Sequence, residues 1–151
     1  MPSKGRLGPN TTYRSCTKRD WGVLPNARIA LGWLTRAAES GSPLAQKRLA
    51  RMYDQGKEVR KDLKTAHKWY LSSANNGDPR SQRRLGFMYA TGQGVHQDVA
   101  RAYMWFKVAA HGGDRSAERS LEQLTVDMTP DIITRGERLA SVWFDNRRAS
   151  D

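Results

Sequence analysis

Residues 45 to 77 recur 36 positions later as residues 81 to 113. Gln46, Leu49, Met52, Tyr53, Gly56, Val59, Asp62, Ala66, Trp69, Ala74 and Gly77 fall on Gln82, Leu85, Met88, Tyr89, Gly92, Val95, Asp98, Ala102, Trp105, Ala110 and Gly113, and Asp78 falls on Asp114. A fixed period of this length belongs to stacked-repeat architectures. Each unit exposes apolar surface on two sides and buries it only by stacking on a neighbour. The chain is therefore expected to be an elongated stack of helix pairs, built from residues that fill the same few roles in every unit.

Spacing within the units separates those roles. Leu49, Met52 and Tyr53 form a helical stripe that ends at Gly56, and Ala66, Trp69, Tyr70 and Ala74 form a second one that ends at Gly77. Asp62 stands where an N-cap belongs and Gly77 where a left-handed C-terminal glycine belongs. The next unit repeats the plan with Leu85, Met88, Tyr89, Asp98, Ala102, Trp105, Phe106 and Ala110. Upstream, a helix is expected over 26–40, capped by Asn26, with Ala30, Trp33, Leu34, Ala37 and Ala38 on its apolar face. It matches the second helix of a unit whose first helix has decayed. Downstream, a half unit is expected over 115–126 with Ala117, Leu121 and Leu124. Thr129-Pro130-Asp131 then opens a last helix, followed by a polar tail over 145–151. Three regions follow: a basic irregular arm over 1–25, a solenoid over 26–126, and a capping helix with tail over 127–151.

Composition narrows the function classes. No run of about 18 apolar residues exists to span a membrane. The first 20 residues carry basic groups but no apolar h-region, so no secretory signal is read there. Cys16 is the sole cysteine, which leaves no intrachain disulfide and no thiolate metal site, and a reducing, cytoplasmic setting is expected. The net charge of +11 is uneven: residues 1 to 86 hold +12 and residues 87 to 151 hold −1. A charge excess of this kind bears on partners, not on fold.

Fragments that resemble catalytic motifs find places in the repeat. His111-Gly112-Gly113-Asp114 has the look of an oxyanion-hole loop, but Asn75-Asn76-Gly77-Asp78 occupies the same position one unit earlier. Gly92-Gln93-Gly94 lacks a third glycine and a preceding strand, so it is no dinucleotide fingerprint. His67, His96 and His111 show no i, i+4 pairing for a metal, and Cys16 has no nearby histidine to activate it. No enzyme, cofactor or metal site is expected.

The constellation Leu85-Gly86, Tyr89, Gly92, Gly94, Val95, Asp98, Ala102, Trp105-Phe106, Ala110 and Gly113 resembles the Sel-1-like repeat family, relatives of the tetratricopeptide repeats. The block 45–77 matches with two departures, Ala50 for the usual glycine and Glu58 for the second turn glycine. The resemblance covers about residues 26 to 126. It implies an all-α, right-handed superhelical solenoid of antiparallel helix pairs with a concave inner face. The Met-Thr-Pro helix resembles the capping helix that follows such repeats in many bacterial proteins, which implies a bacterial source.

By the same resemblance the inner face is built from the first helix of each pair. Its outward positions are Leu44, Lys47, Arg51 and Asp54 in one unit, Arg80, Arg83, Phe87 and Ala90 in the next, and Ser116, Arg119, Gln123 and Val126 in the third. Lys47, Arg51, Arg80, Arg83 and Arg119 would form a basic strip around an exposed Phe87, flanked by Arg48 and Arg84. Arginine suits bidentate carboxylate contact. The expected function is a monomeric protein–protein interaction module, adaptor or inhibitor, that holds an acidic peptide or surface of another protein. The alternative is nucleic-acid binding through the basic first half.

Overall fold

The computed structural model describes residues 25–150. The expected arm over 1–25, with Cys16, lies outside the described residues except for Pro25. Seven α-helices and no strands occur among the described residues: α1 (Pro25–Glu39), α2 (Pro43–Gln55), α3 (Leu63–Asn75), α4 (Pro79–Thr91), α5 (Val99–His111), α6 (Arg115–Thr125) and α7 (Pro130–Ser150). Each helix packs on its sequence neighbour from α1 to α6, and α7 packs on α5.

Capping chemistry explains most of the boundaries. The Asp62 carboxylate accepts from the backbone N–H groups of Lys64 and Thr65 at the start of α3, and Asp98 accepts from Arg101 at the start of α5. The Thr65 hydroxyl and backbone N–H hold the Asp62 carboxyl below its ordinary range. Asp78 and Asp114 cap α4 and α6 through the N–H groups of Ser81 and Ala117. The partly buried Asp78 and Asp114 caps each contribute about 1 kcal/mol. The left-handed Gly56 (φ 70°) and Gly92 (φ 74°) end α2 and α4. Two boundaries and one side chain depart from expectation. Helix α1 begins at Pro25, ahead of the expected Asn26. Helix α7 runs through Ser150, and residues 145–150 are helical, not a tail. Trp33, expected on a core face, is 64% exposed with the Arg36 guanidinium over its ring. Its helix has a described packing neighbour on the α2 side only.

Buried aromatic and small side chains from successive units form one continuous core. Trp69, Tyr70, Leu85, Met88, Trp105 and Phe106 are all buried in it. Close approach requires glycine at Gly86, where an added Cβ would stand 2.6 Å from Phe106 Cε1. The turn glycine Gly94 (φ 73°) is constrained twice, by its left-handed backbone and because its Cβ would lie 2.7 Å from the Leu63 carbonyl oxygen. In the first full unit Glu58 takes the same left-handed backbone (φ 65°) without being glycine, at a cost of roughly 1–2 kcal/mol.

Helix α7 runs in the same sense as α5. Gly136 meets Tyr103 early in the helix, and Phe144 meets His111 near its end, with centroids 4.8 Å apart. Beyond α5 it reaches the previous unit: Trp143 Nε1 donates to Asn75 Oδ1 at 3.1 Å, and Arg147 donates to the carbonyls of Asn75 and Asn76 at 2.8 and 3.3 Å. Those carbonyls lie at the C-terminal end of α3, where a guanidinium also complements the helix dipole. This contact anchors the last turns of α7, which include residues 145–150.

Two substitutions test the close contacts. Gly86→Ala gains about 1 kcal/mol of helix propensity but overpacks Phe106 at a cost of roughly 1–3 kcal/mol, so urea unfolding is expected to show a net loss. Glu58→Gly removes left-handed strain and is expected to raise the unfolding free energy by about 1 kcal/mol.

Candidate functional site

Successive units are joined by the same polar contacts. Gln46 Nε2 donates to the Ala38 carbonyl and Gln82 Nε2 to the Ala74 carbonyl, both at 3.0 Å and both buried. Each bond ties a first-type helix to the last turn of the helix before it. Lys47 of α2 pairs with Asp78 at the start of α4 at 3.5 Å, and Arg83 of α4 with Asp114 at the start of α6 at 3.1 Å. The two carboxylates thus cap their own helices and hold a cation of the preceding unit.

These pairs change the character of the expected basic strip. Lys47, Arg51, Arg80 and Arg83 do come together, lining an open hollow of about 470 Å³ with Arg84, Asp54 and Tyr70. Lys47 and Arg83 are committed to Asp78 and Asp114. Arg51 and Arg80 are exposed and, among the described residues, form no ion pair. Phe87 and Arg119 do not line this hollow. Phe87 is 40% exposed, with its other face edge-on to Phe106 at 5.2 Å. Arg119 is exposed on α6. None of the twelve outward positions expected from the repeat is buried, and Leu44, Phe87 and Val126 are among the exposed large apolar side chains.

A polar hub that the repeat pattern does not announce lies inside the hollow. Arg84 makes a two-pronged contact with Asp54, 2.8 Å to each carboxylate oxygen, and Tyr70 donates its hydroxyl to Asp54 at 3.0 Å. Burial, then the Asp54 charge, pushes the Tyr70 phenol well above its ordinary range, so it stays a proton donor. Arg84 also reaches Gln93 at 3.0 Å. One unit later the counterparts are Ala90, Phe106 and Ser120. Among the described residues the hub occurs once, and its place in the next unit is taken by the Phe87–Phe106 contact. The 31-residue offset from Lys47 to Asp78 and from Arg83 to Asp114 was the available signal for the ion pairs. The hub has no repeated counterpart and so no such signal.

The motif-like fragments keep their structural roles. His111 to Asp114 forms the turn from α5 to α6, with Gly113 left-handed at φ 96°. His67 is half-buried, with Nε2 3.1 Å from the Tyr89 hydroxyl and the rings edge-on.

The Sel1 repeat profile matches residues 15–42, 43–78 and 79–114, about two thirds of the chain. The chain belongs to the Sel1 repeat family. The first matched unit begins ahead of the expected residue 26, and its residues 15–24 lie outside the described region. A Sel1 repeat protein from Oxalobacter formigenes is 41% identical over 65% of this chain, with a TM-score of 0.63. A protective antigen of uropathogenic Escherichia coli strains, displaying an SLR fold, is 25% identical over 93% of the chain, with a TM-score of 0.75. The chain spans 29% of the length of each of these two structures. Helicobacter pylori cysteine rich protein B is 28% identical over 62% of this chain and 71% of that one, with a TM-score of 0.59. No curated protein matches it at a significant level. Sel1 repeat proteins generally act as protein–protein interaction modules, and the family is a non-enzymatic scaffold family. No described helix is long and apolar enough to cross a membrane.

The His67 environment makes stability depend on pH. Burial, then the nearby Arg101 charge, lowers its pKa below the ordinary 6.5. The unfolded chain then takes up a proton near pH 6.5 that the folded chain resists. Stability attributable to His67 is full above that pH and is lost as pH falls toward the folded value. Urea unfolding of the wild-type chain is expected to weaken from pH 7.5 to 5.5 more than that of His67→Gln.

Proposed function

We propose that this Sel1 repeat protein is an interaction module that receives an acidic segment, or the carboxyl end, of another protein along its first-type helices. The observation that carries this reading is the pair Arg51 and Arg80, exposed and without carboxylate partners beside a 470 Å³ hollow. Two unpaired guanidinium groups there can grip a carboxylate through paired hydrogen bonds. Exposed Leu44, Phe87 and Val126 on the same rows of positions add apolar contacts to a bound segment, which turn a charge attraction into a shaped site. Lys47 and Arg83 serve the site by holding its walls, and Arg119 extends the positive field toward α6. A chain of this kind works as an adaptor or as an inhibitor that covers another protein's surface. The organisms of the three solved relatives support a bacterial setting.

Nucleic-acid binding has less to stand on than the charge of residues 1 to 86 suggests. Lys47, Arg83 and Arg84 are already engaged by carboxylates, so fewer cations remain to displace counterions from a phosphate backbone.

The test uses affinity capture from lysate of the source organism, with Arg51→Glu/Arg80→Glu as the comparison. Neither arginine supports the fold, so the double variant is expected to keep its helical circular dichroism and lose the captured protein. Capture that survives the double charge reversal would sink the proposal. Salt-sensitive retardation of a mixed-sequence oligonucleotide, lost in the same variant, would favour the nucleic-acid reading.

A further inference from the structure

Gln82 is only 2% exposed, and its carboxamide is half used. Its Nε2 donates to the Ala74 carbonyl, which turns Oε1 the other way. One unit earlier the matching Gln46 uses both halves. Its Nε2 donates to Ala38, and its Oε1 accepts from Asn76 Nδ2 at 3.0 Å. The same Asn76 amide donates to the Ser72 carbonyl at 3.1 Å. Thirty-six residues on, Ser72 becomes Val108 and Asn76 becomes Gly112. The two acceptors remain, and the side chain that joined them is gone. Among the described residues, no group donates to Gln82 Oε1.

An open hollow of about 520 Å³ lies at this place, lined by Gln82, Val108, Gly112 and His111 and walled by Trp143 and Phe144 of α7, with Arg147 and Arg148 at its edge. The backbone at Gly112 (φ −78°, ψ 4°) repeats that at Asn76 (φ −85°, ψ 1°). The acceptors therefore sit in the frame that already holds a carboxamide one unit earlier.

The structure assigns this hollow as a receptor for the carboxamide of an asparagine or glutamine side chain presented by a partner polypeptide. The choice of group follows from what faces it. Two acceptors, Gln82 Oε1 and the Val108 carbonyl, call for two N–H groups on one nitrogen, the pattern Asn76 supplies internally. A carboxylate would set lone pairs against both acceptors. An ammonium would place a positive charge beside Arg147 and Arg148. A neutral amide avoids both, and Trp143 and Phe144 provide apolar cover for the carbon chain that carries it. This site is separate from the one lined by Arg51 and Arg80, and either stands without the other.

The test is an NMR titration of the full chain with N-acetyl-asparagine methylamide, using the aspartate and leucine counterparts as comparisons. The three probes share the same backbone amides and differ only in the side chain. Saturable shifts of the Gln82 side-chain NH₂ and the Gly112 backbone amide are expected with the asparagine compound and not with the other two. Gly112→Asn restores the internal donor and should abolish those shifts. Gly112→Ala brings the same Cβ against Pro79 (3.2 Å from its Cγ) but no donor, and should keep them. Absence of any saturable shift in the wild-type chain would mean that the hollow holds water only, and would overturn the assignment. So would equal shifts from the leucine compound, or shifts that persist in Gly112→Asn.

Discussion

Asp78 and Asp114 each hold a helix end and a neighbouring unit with one carboxylate. As N-caps they satisfy first-turn N–H groups of α4 and α6, and as anions they take Lys47 and Arg83 from the unit before. The cap contributes about 1 kcal/mol, and a partly exposed ion pair contributes less. Their value lies in doing both at one atom group: the helix cannot start elsewhere without also releasing the previous unit. The buried Gln46 and Gln82 bonds set the same register from the inside. Everything that defines a surface on this protein, including the spacing of the exposed arginines, inherits its geometry from these joints.

The joints also decide which charges are available. A row of basic side chains on one helical face has the appearance of a uniform field. Here it divides into cations that close the scaffold and cations that face outward unpaired. Arg84 belongs to the first kind, with both its prongs on Asp54. Arg51 and Arg80 belong to the second. A binding reading that counts every lysine and arginine overstates the attraction, because Lys47, Arg83 and Arg84 are already held by carboxylates.

Much of the fold was legible because it repeats. Trp69 with Trp105, Asp62 with Asp98 and Gly56 with Gly92 recur at one spacing, and each recurrence fixes a helix, a cap or a turn. Legibility fails where the copies stop agreeing. The Asp54–Tyr70–Arg84 hub draws one side chain from each of three helices, and its counterparts Ala90, Phe106 and Ser120 carry none of its chemistry. The ends fail for a related reason. Trp33 sits at a core position of the pattern yet is exposed, because a periodic pattern does not say whether a neighbour is there to cover it. The polar residues after Asp145 gave no helical signal of their own. There Arg147 bonds carbonyls more than seventy residues away, a contact that no local pattern announces.

That long-range contact has a consequence for how the stack opens. Helix α7 lies along α5 and also grips the end of α3, so it crosses the joint between the two full units. The joint between α1 and α2 has no such brace among the described residues. Among the described residues, parting α3 from α5 therefore also breaks the α7 contacts, whereas parting α1 from α2 breaks only their own packing. Two joints built from near-identical units thus differ in what must be released to part them, and the exposed arginines of α2 and α4 lie on either side of the braced one.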